Sequence, residues 1–348
     1  MKIEKEKFGE TRDGRDVFIY TLENKNGSKV KICEYGAIIT SIIVPDKDGN
    51  FEDVALGYDS LEPYFTNDEN FGATIGRNAN RIAGASFKID GEVIALKANE
   101  GNNNLHTDFD NGFHKKLWVG APDEGRNSVS MSYTSPDGEN GFPGNLAMKV
   151  TFTFTDDNEL SIHYEGISDK KTVINCTNHS YFNLAGHGKG DILDHYVKIF
   201  ASAYNPVGEG SIPTGENAAV SGTPFDFLEF RRIGDDVDAD NEQLKLTGGY
   251  DHNFVIDVPG GLIAAAEERV SGRRMEVYSS LPGVQLYVGN YIRNGLKGKN
   301  GAVYNKRSGF CLETQFFPDS VNQENFESPI FSAGKKYDYT TIYKFTVI

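Results

Sequence analysis

The chain of 348 residues carries 50 acidic and 35 basic side chains, which gives a formal net charge of -15. A surface this acidic repels phosphate backbones and anionic lipids, so nucleic acid and membrane are excluded as partners, while a small neutral ligand is unaffected. The three cysteines, Cys33, Cys176 and Cys311, lack CxxC spacing, which is usual for free thiols in a reducing compartment. The sequence shows no signal peptide and no apolar stretch long enough to span a membrane. We therefore expect a cytoplasmic protein.

The predicted elements are β-strands that recur at short intervals with turn residues between them. Val30–Val44 contains two apolar runs and ends at Pro45-Asp46, which predicts two strands followed by a turn. Phe87–Leu96 has two apolar runs around Asp90-Gly91, the pattern of a tight hairpin. Ala147–Ser168 alternates apolar and polar residues on both sides of a polar turn, which predicts two more strands.

The second half of the chain continues this pattern and ends in a predicted strand over Tyr337–Val347. Short helices are predicted at Ser60–Phe65 and Phe227–Ile233. Three further strands are predicted to form a meander: Gly261–Val270, Arg273–Ser280 and Val284–Val288. Because short connections dominate and no linker or repeat interrupts them, we predict an all-β, antiparallel sandwich or barrel with few short helices, as one domain over residues 1–348.

Motifs for nucleotide and metal chemistry are absent from the sequence. It contains no GxxxxGK(S/T) phosphate loop, no HExxH zinc motif and no GxSxG nucleophile elbow. His179, His187 and His195 are evenly spaced, but glycines interrupt any continuous strand between them and no closely paired ligands accompany them. We therefore predict neither a metal site nor a cofactor.

Ionisable side chains stand beside apolar strands in five segments: Gly76–Ile82, Asn102–Asp108, Thr177–Leu184, Gly249–Phe254 and Phe310–Asp319. Taken singly, each has an ordinary structural explanation, because a lone histidine is more often a hydrogen-bonded core residue than a catalyst, and Asp251 is of a type that often caps turns. Glu313 is harder to explain in this way. The strand period of two places Cys311, Glu313 and Gln315 on one face. A carboxylate there must be paired, hydrogen-bonded or protonated, and Arg81 is a candidate structural partner.

Taken together, these segments resemble galactose mutarotases, the aldose 1-epimerase family. The resemblance rests on TNHSYFNLAG, GRNANRI, NNNLH, GYDHNF, PGVQLY and VYNKRSGFCLETQFFP, and it extends over nearly the whole chain. It implies a large antiparallel β-sandwich that binds a free monosaccharide, such as galactose or glucose, in an open cleft. It implies acid–base ring opening to the aldehyde and reclosure, with Glu313 as general base, His179 as general acid and His106 as a second histidine near the ring oxygen and O1. It also implies sugar contacts by four residues: Asn80, Arg81, Asp251 and Gln285.

Two expectations about this site follow. His179 is expected to be protonated at neutral pH, because the ordinary pKa of histidine is about 6.5 and carboxylates are expected nearby. Thr107-Asp108 stands where most members of the family have two glycines after the histidine, so two side chains occupy a position that is usually bare. That departure predicts either a shifted sugar preference or a differently bent loop.

Three other functions remain open on sequence grounds. A glycoside hydrolase would use Asp251 and Glu313 as its carboxylate pair. A non-catalytic sugar-binding module would need the polar and aromatic residues but no acid–base pair. An enzyme acting on a hexose 6-phosphate would need a basic cluster, for which the adjacent pairs Arg231-Arg232 and Arg273-Arg274 are candidates, and both pairs are predicted to lie at the surface. The sequence makes no prediction of the oligomeric state.

Overall fold

The computed structural model describes residues 2–348, and strands make up most of its regular structure. The largest sheet has nine antiparallel strands. Leu146–Phe154 is typical of it, because its apolar side chains alternate with polar ones, so that one face is buried and the other meets solvent. In spatial order the strands are Val119–Asp123, Ser128–Ser135, Leu146–Phe154, Glu159–Ser168, Tyr337–Val347, Arg273–Ser279, Leu262–Glu268, Tyr196–Ile199 and Arg231–Arg232.

A second sheet, which we call the central sheet, has five strands and lies against the first. Its strands Gly283–Tyr287 and Cys311–Gln315 are buried along their whole length. One face packs on the nine-stranded sheet, where the hydroxyl of Tyr343 donates to the carbonyl of Leu312 at 2.9 Å. In spatial order the strands are Ala218–Ala219, Ala203–Tyr204, Asp251–Val255, Gly283–Tyr287 and Cys311–Gln315.

The N-terminal part of the chain forms a third sheet in which each strand pairs with the next along the sequence. Its strands are Lys2–Glu10, Asp16–Glu23, Lys29–Cys33, Ile38–Pro45 and Phe51–Asp53. Short two-stranded pairs complete the β-structure: Ala73–Ile75 with Thr177–His179, Arg81–Ile82 with Asn104–Leu105, Ser86–Ile89 with Glu92–Ala95, Thr172–Val173 with Ile330–Phe331, and Leu296–Lys297 with Val303–Tyr304.

Helical structure is short. The single α-helix within residues 2–348, Glu242–Thr247, begins after Asn241, whose side chain accepts the N–H groups of Gln243 and Leu244, and it ends at Gly248 with a φ of 68°. The 3-10 turns are Glu62–Phe65, Ala83–Ala85, Phe113–Lys115, Glu139–Gly141, Glu209–Ser211, Ile233–Asp235 and Lys299–Gly301. No helix in the described range is long and apolar enough to cross a membrane.

The all-β, antiparallel prediction is confirmed. The strands predicted within Val30–Val44 and Ala147–Ser168 are present. The hairpin predicted around Asp90-Gly91 joins Ser86–Ile89 to Glu92–Ala95. Its turn has the positive φ angles, 52° and 87°, that favour glycine at the second position. The prediction of a single domain over residues 1–348 stays a prediction.

The predicted meander is wrong in its last step. After Arg273–Ser279 the chain leaves the nine-stranded sheet and enters the central sheet. There Gly283–Tyr287 pairs with Asp251–Val255 and Cys311–Gln315, and not with the preceding strand. In this connection Ser280 is exposed, while the side chain of Leu281 is fully buried and packs in the main core.

The helix predicted over Phe227–Ile233 is also wrong. Arg231–Arg232 forms a short strand at the edge of the nine-stranded sheet, and only Ile233–Asp235 is helical, as a 3-10 turn. Phe227 is buried in the main core, so tertiary packing overrides the local preference. The other predicted helix is a 3-10 turn at Glu62–Phe65.

Candidate active site

A cleft of about 350 Å³ opens beside the central sheet. This volume falls within the range of small-molecule sites, roughly 300–1,000 Å³. Short strand pairs bring distant segments to it: Arg81–Ile82 pairs with Asn104–Leu105, and Thr177–His179 packs beside Cys311–Gln315. All seven residues predicted for the sugar site line this one cleft: Asn80, Arg81, His106, His179, Asp251, Gln285 and Glu313.

The imidazole of His179 and the carboxyl group of Glu313 face each other in this cleft. Nε2 of His179 lies 3.6 Å from Oε1 of Glu313. The other ring nitrogen, Nδ1, lies 3.6 Å from Sγ of Cys311, and the ring stacks on Tyr181 with centroids 5.1 Å apart. These contacts fix the orientation of the ring, so that both groups can reach one small substrate.

Glu313 lies in a setting that disfavours its charged form. Its Oε2 atom is buried and has no hydrogen-bond partner among residues 2–348. Burial, followed by the negative charge of Asp251, raises the pKa of Glu313 well above its ordinary value, and the positive charge of Arg81 acts in the opposite direction. A buried oxygen without a partner is unfavourable, so this atom is suited to accept a hydrogen bond from a ligand.

The expectation that His179 is protonated at neutral pH is wrong. Burial lowers the pKa of His179 to about 4, because removing water from the imidazole disfavours its charged form. The pKa of Glu313 shifts in the opposite direction, also through burial. Burial therefore favours the neutral form of both groups, which opposes an ion pair of carboxylate and imidazolium before a ligand binds.

His106 lies edge-on to His179, with ring centroids 5.3 Å apart. Its Nδ1 accepts the backbone N–H of Asn80 at 3.1 Å. Burial, followed by the charges of His179 and Arg81, lowers the pKa of His106 well below its ordinary value. A neutral imidazole whose Nδ1 accepts a hydrogen bond carries its proton on Nε2. His106 is therefore a hydrogen-bond donor.

A chain of amide side chains connects the residues predicted to bind the sugar. Gln285 donates to Asp251 at 2.8 Å, Gln315 donates to Gln285 at 3.2 Å, and Asn80 donates to Gln315 at 3.4 Å. Gln315, which shares a face of its strand with Glu313 as the period of two predicts, is the link between Asn80 and Gln285. Such a network holds its members in fixed orientations.

Arg81 pairs with Glu100 and not with Glu313. Its guanidinium donates to the two carboxylate oxygens of Glu100 at 2.7 and 2.9 Å. The alternative in which Arg81 serves as the structural partner of Glu313 is therefore wrong. Glu100 was not predicted, because it lies 19 residues after Arg81 with no spacing that links the two. Its position just before the NNNLH segment was the single available signal.

The mouth of the cleft adds residues that were not predicted either. Arg293 donates to Glu69 at 2.8 Å. Tyr291 is exposed and stacks on Tyr287, with ring centroids 6.3 Å apart. Phe109 also lines the cleft and is partly exposed. These residues leave aromatic surface open to a ligand, and only the spatial arrangement reveals them.

Two histidines and a carboxyl group converge closely enough to be considered as metal ligands. One donor atom from each of His106, His179 and Glu313 lies within 4.8 Å of the others, and zinc accepts such a set. Nδ1 of His106 already accepts a backbone N–H and the ring proton is then on Nε2, so neither ring nitrogen of His106 offers a free lone pair to a metal. The absence of a metal from the reaction stays a prediction.

Other residues singled out in the sequence lie elsewhere. Nδ1 of His187 contacts the hydroxyl of Tyr304 at 3.0 Å, and Nε2 of His195 accepts a backbone N–H at 2.9 Å, so neither joins His179. Arg273 is buried, which corrects the prediction of a surface pair, because its guanidinium donates to three backbone carbonyls. None of the four paired arginines lines the cleft.

The fold is an antiparallel β-sandwich, and its cleft brings an imidazole and a carboxyl group together among polar side chains, an arrangement suited to acid–base chemistry on a small polar molecule. Residues 19–344 match the family model described as aldose 1-epimerase. The chain therefore belongs to the aldose 1-epimerase family, and the resemblance seen in its sequence is confirmed.

Relatives cover nearly the whole of both chains. The galactose mutarotase of Homo sapiens is 46% identical over 321 residues, 92% of this chain and 91% of the relative. The aldose 1-epimerase of Escherichia coli (strain K12) is 36% identical over 341 residues, 96% of each chain. The crystal structure of galactose 1-epimerase from Lactobacillus acidophilus NCFM matches with a TM-score of 0.87 and 30% identity over 99% of both chains. These similarities confirm the sandwich fold and the mutarotase class, and they do not favour a glycoside hydrolase or a non-catalytic module.

Proposed function

We propose that the chain interconverts the α and β anomers of free aldohexoses, with galactose and glucose as substrates. Relatives named galactose mutarotase and aldose 1-epimerase support the reaction class. The observation that carries the proposal is the separation of 3.6 Å between Nε2 of His179 and Oε1 of Glu313, inside a cleft of about 350 Å³. An acid and a base at that spacing can serve O1 and the ring oxygen of one sugar.

The reaction needs two proton transfers and the cleavage of one bond. In this proposal the carboxylate of Glu313 removes the proton from the O1 hydroxyl, while the imidazolium of His179 gives the proton on Nε2 to the ring oxygen. The bond between C1 and the ring oxygen breaks, which leaves an open-chain aldehyde, a protonated Glu313 and a neutral His179. Rotation about C1–C2 and closure from the other face give the second anomer, and the reverse transfers restore both groups.

The pair needs one proton in total throughout this cycle. A protonated Glu313 beside a neutral His179 holds the same number of protons as a carboxylate beside an imidazolium. Sugar hydroxyls that donate to the unpartnered Oε2 of Glu313 stabilise the carboxylate, and the proton then moves to His179. Substrate binding thereby prepares the pair for the reaction, and no cofactor is consumed.

The remaining predicted residues are assigned to binding and charge stabilisation. Nε2–H of His106 donates to the ring oxygen or O1, and the guanidinium of Arg81 stabilises charge that develops on oxygen. Asp251, Gln285 and Asn80 bind ring hydroxyls. Because most of these side chains are buried, hydrogen bonds to them are stronger than the same bonds in water.

Polarimetry on freshly dissolved α-D-galactose and α-D-glucose tests the proposal. We expect the approach to equilibrium rotation to accelerate in proportion to enzyme concentration. Methyl α-D-galactoside is the control and is expected to stay unchanged, because its O1 carries no proton. Hydrolysis of this glycoside would instead indicate a glycoside hydrolase, and sugar binding without acceleration would indicate a binding module.

A hexose 6-phosphate fits the cleft less well than a free hexose. Among the lining residues that the structure describes, the two arginines are already paired, Arg81 with Glu100 and Arg293 with Glu69. A phosphate group therefore meets no unpaired guanidinium there. This charge arrangement supports a neutral sugar as the substrate.

We also propose a cytoplasmic location. All three cysteines are buried and unpaired, as is usual in a reducing compartment. The net charge of -15 is compatible with a small neutral ligand and opposes binding to nucleic acid. Immunodetection after cell fractionation tests the location.

A further inference from the structure

The turn that carries His106 is strained. His106 and Thr107 have positive φ angles of 53° and 72°. The backbone N–H of Asp108 donates to the carbonyl of His106 at 2.9 Å, so Thr107 is the central residue of a γ-turn in its rare positive-φ form. A β-branched residue in this region is an outlier, because its side chain crowds the backbone. Strain of this kind persists only where the surroundings enforce it.

Hydrogen bonds of the Thr107 hydroxyl help to hold the strained turn in place. Its Oγ1 accepts the backbone N–H of Asn78 at 2.9 Å and donates to the carbonyl of the same residue at 3.1 Å. The carbonyl of Thr107 accepts the side-chain amide of Asn104 at 2.6 Å. All three residues are buried, so the loss of one of these bonds leaves a polar group without a partner.

The segment that holds Thr107 also holds the ring of His106. The backbone N–H of His106 donates to the carbonyl of Asn80 at 3.1 Å, and the N–H of Asn80 donates to Nδ1 of His106 at 3.1 Å. Together with the two bonds between Thr107 and Asn78, four hydrogen bonds join the two segments. The bond to Nδ1 keeps the proton of the ring on Nε2.

These contacts show the effect of Thr107 and Asp108, which stand where most members of the family have two glycines. Neither side chain lines the cleft. Thr107 bonds to Asn78, and the carboxylate of Asp108 accepts the N–H groups of Asp110 and Asn111 at 2.7 and 3.0 Å. The two side chains therefore act on the loop and do not contact a sugar in the cleft.

We propose that Thr107 is a positioning residue whose hydroxyl holds His106 with its proton on Nε2 and directed at the oxygen atoms of the sugar. The inference rests on the proposed function, because it assigns a role within the same reaction. Thr107 does not touch the substrate and acts only through the turn. A displacement of about 1 Å can lower a catalysed rate by roughly 100-fold. If the imidazole of His106 shifts when the Thr107 hydroxyl is removed, kcat therefore falls.

Three substitutions separate the hydroxyl from the strain. Thr107→Val keeps the β-branched shape and removes both hydrogen bonds, Thr107→Gly removes the hydroxyl and relieves the strain, and Thr107→Ser keeps the hydroxyl. We expect kcat to fall by roughly 10- to 100-fold in the valine and glycine variants and to stay within about threefold of wild type in the serine variant.

Thr223→Val is a matched control. The Thr223 hydroxyl also bonds to one backbone carbonyl and one backbone N–H, those of Val220 and Phe225 at 2.6 and 3.1 Å, and it does not line the cleft. We expect this variant to lose stability without a change in kcat. The comparison separates positioning of His106 from the general effect of deleting a hydrogen-bonded hydroxyl.

NMR of ¹⁵N-labelled histidine reports directly which ring nitrogen of His106 carries the proton, and this measurement does not depend on activity. We expect a single Nε2–H tautomer in wild type and in Thr107→Ser, and a mixture of tautomers in Thr107→Val. Folded valine and glycine variants with wild-type kcat and a single Nε2–H tautomer would overturn the inference. If the valine variant does not fold, the unstrained glycine variant gives the same test. If the wild type fails to accelerate mutarotation, the proposed function fails, while the tautomer measurement still decides the role of Thr107.

Discussion

Replacing Glu313 by glutamine tests the acid–base pair with the least change in shape. The amide occupies nearly the same volume but cannot remove a proton from O1. General acid–base catalysis by one side chain contributes roughly 10²- to 10⁴-fold to a rate. The surroundings of Glu313 indicate the upper part of this range.

The other carboxylates of the cleft are poor substitutes for the missing base. Those that line it in the described chain are already held: Asp251 by Gln285, Glu100 by Arg81, and Asp68 and Glu69 by Arg293. We therefore expect kcat of Glu313→Gln to fall by roughly 10³- to 10⁴-fold, which corresponds to about 4–5.5 kcal/mol of transition-state stabilisation.

The same substitution is expected to raise stability at neutral pH. Because burial raises the pKa of Glu313, the folded protein binds the carboxyl proton more tightly than the unfolded chain does. Wild type therefore loses stability as the pH rises above the ordinary glutamate pKa of about 4.3 and towards the raised folded pKa. Glutamine has no such proton, so the Tm of the variant is expected to gain on wild type as the pH rises from about 4 to about 8.

Polarimetry on α-D-galactose gives kcat, and thermal unfolding followed by circular dichroism gives Tm on the same samples. Glu34→Gln is the matched control, because Glu34 is a buried glutamate outside the cleft that accepts the hydroxyl of Tyr20 at 2.7 Å. We expect this control to keep its kcat. A folded Glu313→Gln enzyme with kcat within about threefold of wild type would refute the assignment of Glu313 as the base.

The remaining predictions concern pH, metal and Arg81. Because burial lowers the pKa of His179 to about 4, we expect the acid-side fall of kcat/KM only below about pH 5, where the pair of His179 and Glu313 takes up a second proton. On the alkaline side, kcat/KM is expected to fall above the raised pKa of Glu313, where the pair loses its one proton. An acid-side fall centred near 6.5 would contradict this prediction. The donor atoms of His106, His179 and Glu313 lie within 4.8 Å of one another, so dialysis against EDTA is a direct test of metal dependence. We expect full activity afterwards, and lost activity that zinc restores would contradict the metal-free mechanism. Arg81→Lys breaks the two-point ion pair with Glu100, so we expect kcat/KM to fall by roughly 10- to 100-fold. Arg232→Lys, outside the cleft, is the control and is expected to keep its kcat/KM. Similar kcat/KM values for the two variants would argue against a role of Arg81 in the reaction.

The fold class was predictable because alternation within a strand is a local property. Leu146–Phe154 shows it directly, and the Asp90-Gly91 turn identified its hairpin. The connection after Ser279 was not predictable, because Pro282-Gly283 looks the same in a tight turn and in a crossing between two sheets. Strand partners are set by long-range packing, and nothing within a window of ten residues reports them.

The residues of the candidate site were easier to predict than their protonation and their ion-pair partners. Resemblance to a family identified seven residues, and all seven line the cleft. The protonation of His179 was predicted wrongly, because desolvation depends on neighbours that come from distant segments, such as Tyr287 and Cys311. Glu100 was missed for the same reason, since its ion pair with Arg81 exists only once the chain is folded.

The register of the central sheet connects the stability of the protein to its chemistry. Gln285 pairs with Glu313 across this sheet, while the intervening Leu312 and Thr314 bond to the nine-stranded sheet. A slip of one residue would exchange these faces and place Leu312 in the cleft and Glu313 in the core. The same packing keeps water from His179 and Glu313 and so sets the direction of both pKa shifts. Because the sandwich provides the low-dielectric setting that the acid–base pair uses, substitutions that loosen the contact between the two sheets should lower catalysis before they unfold the protein.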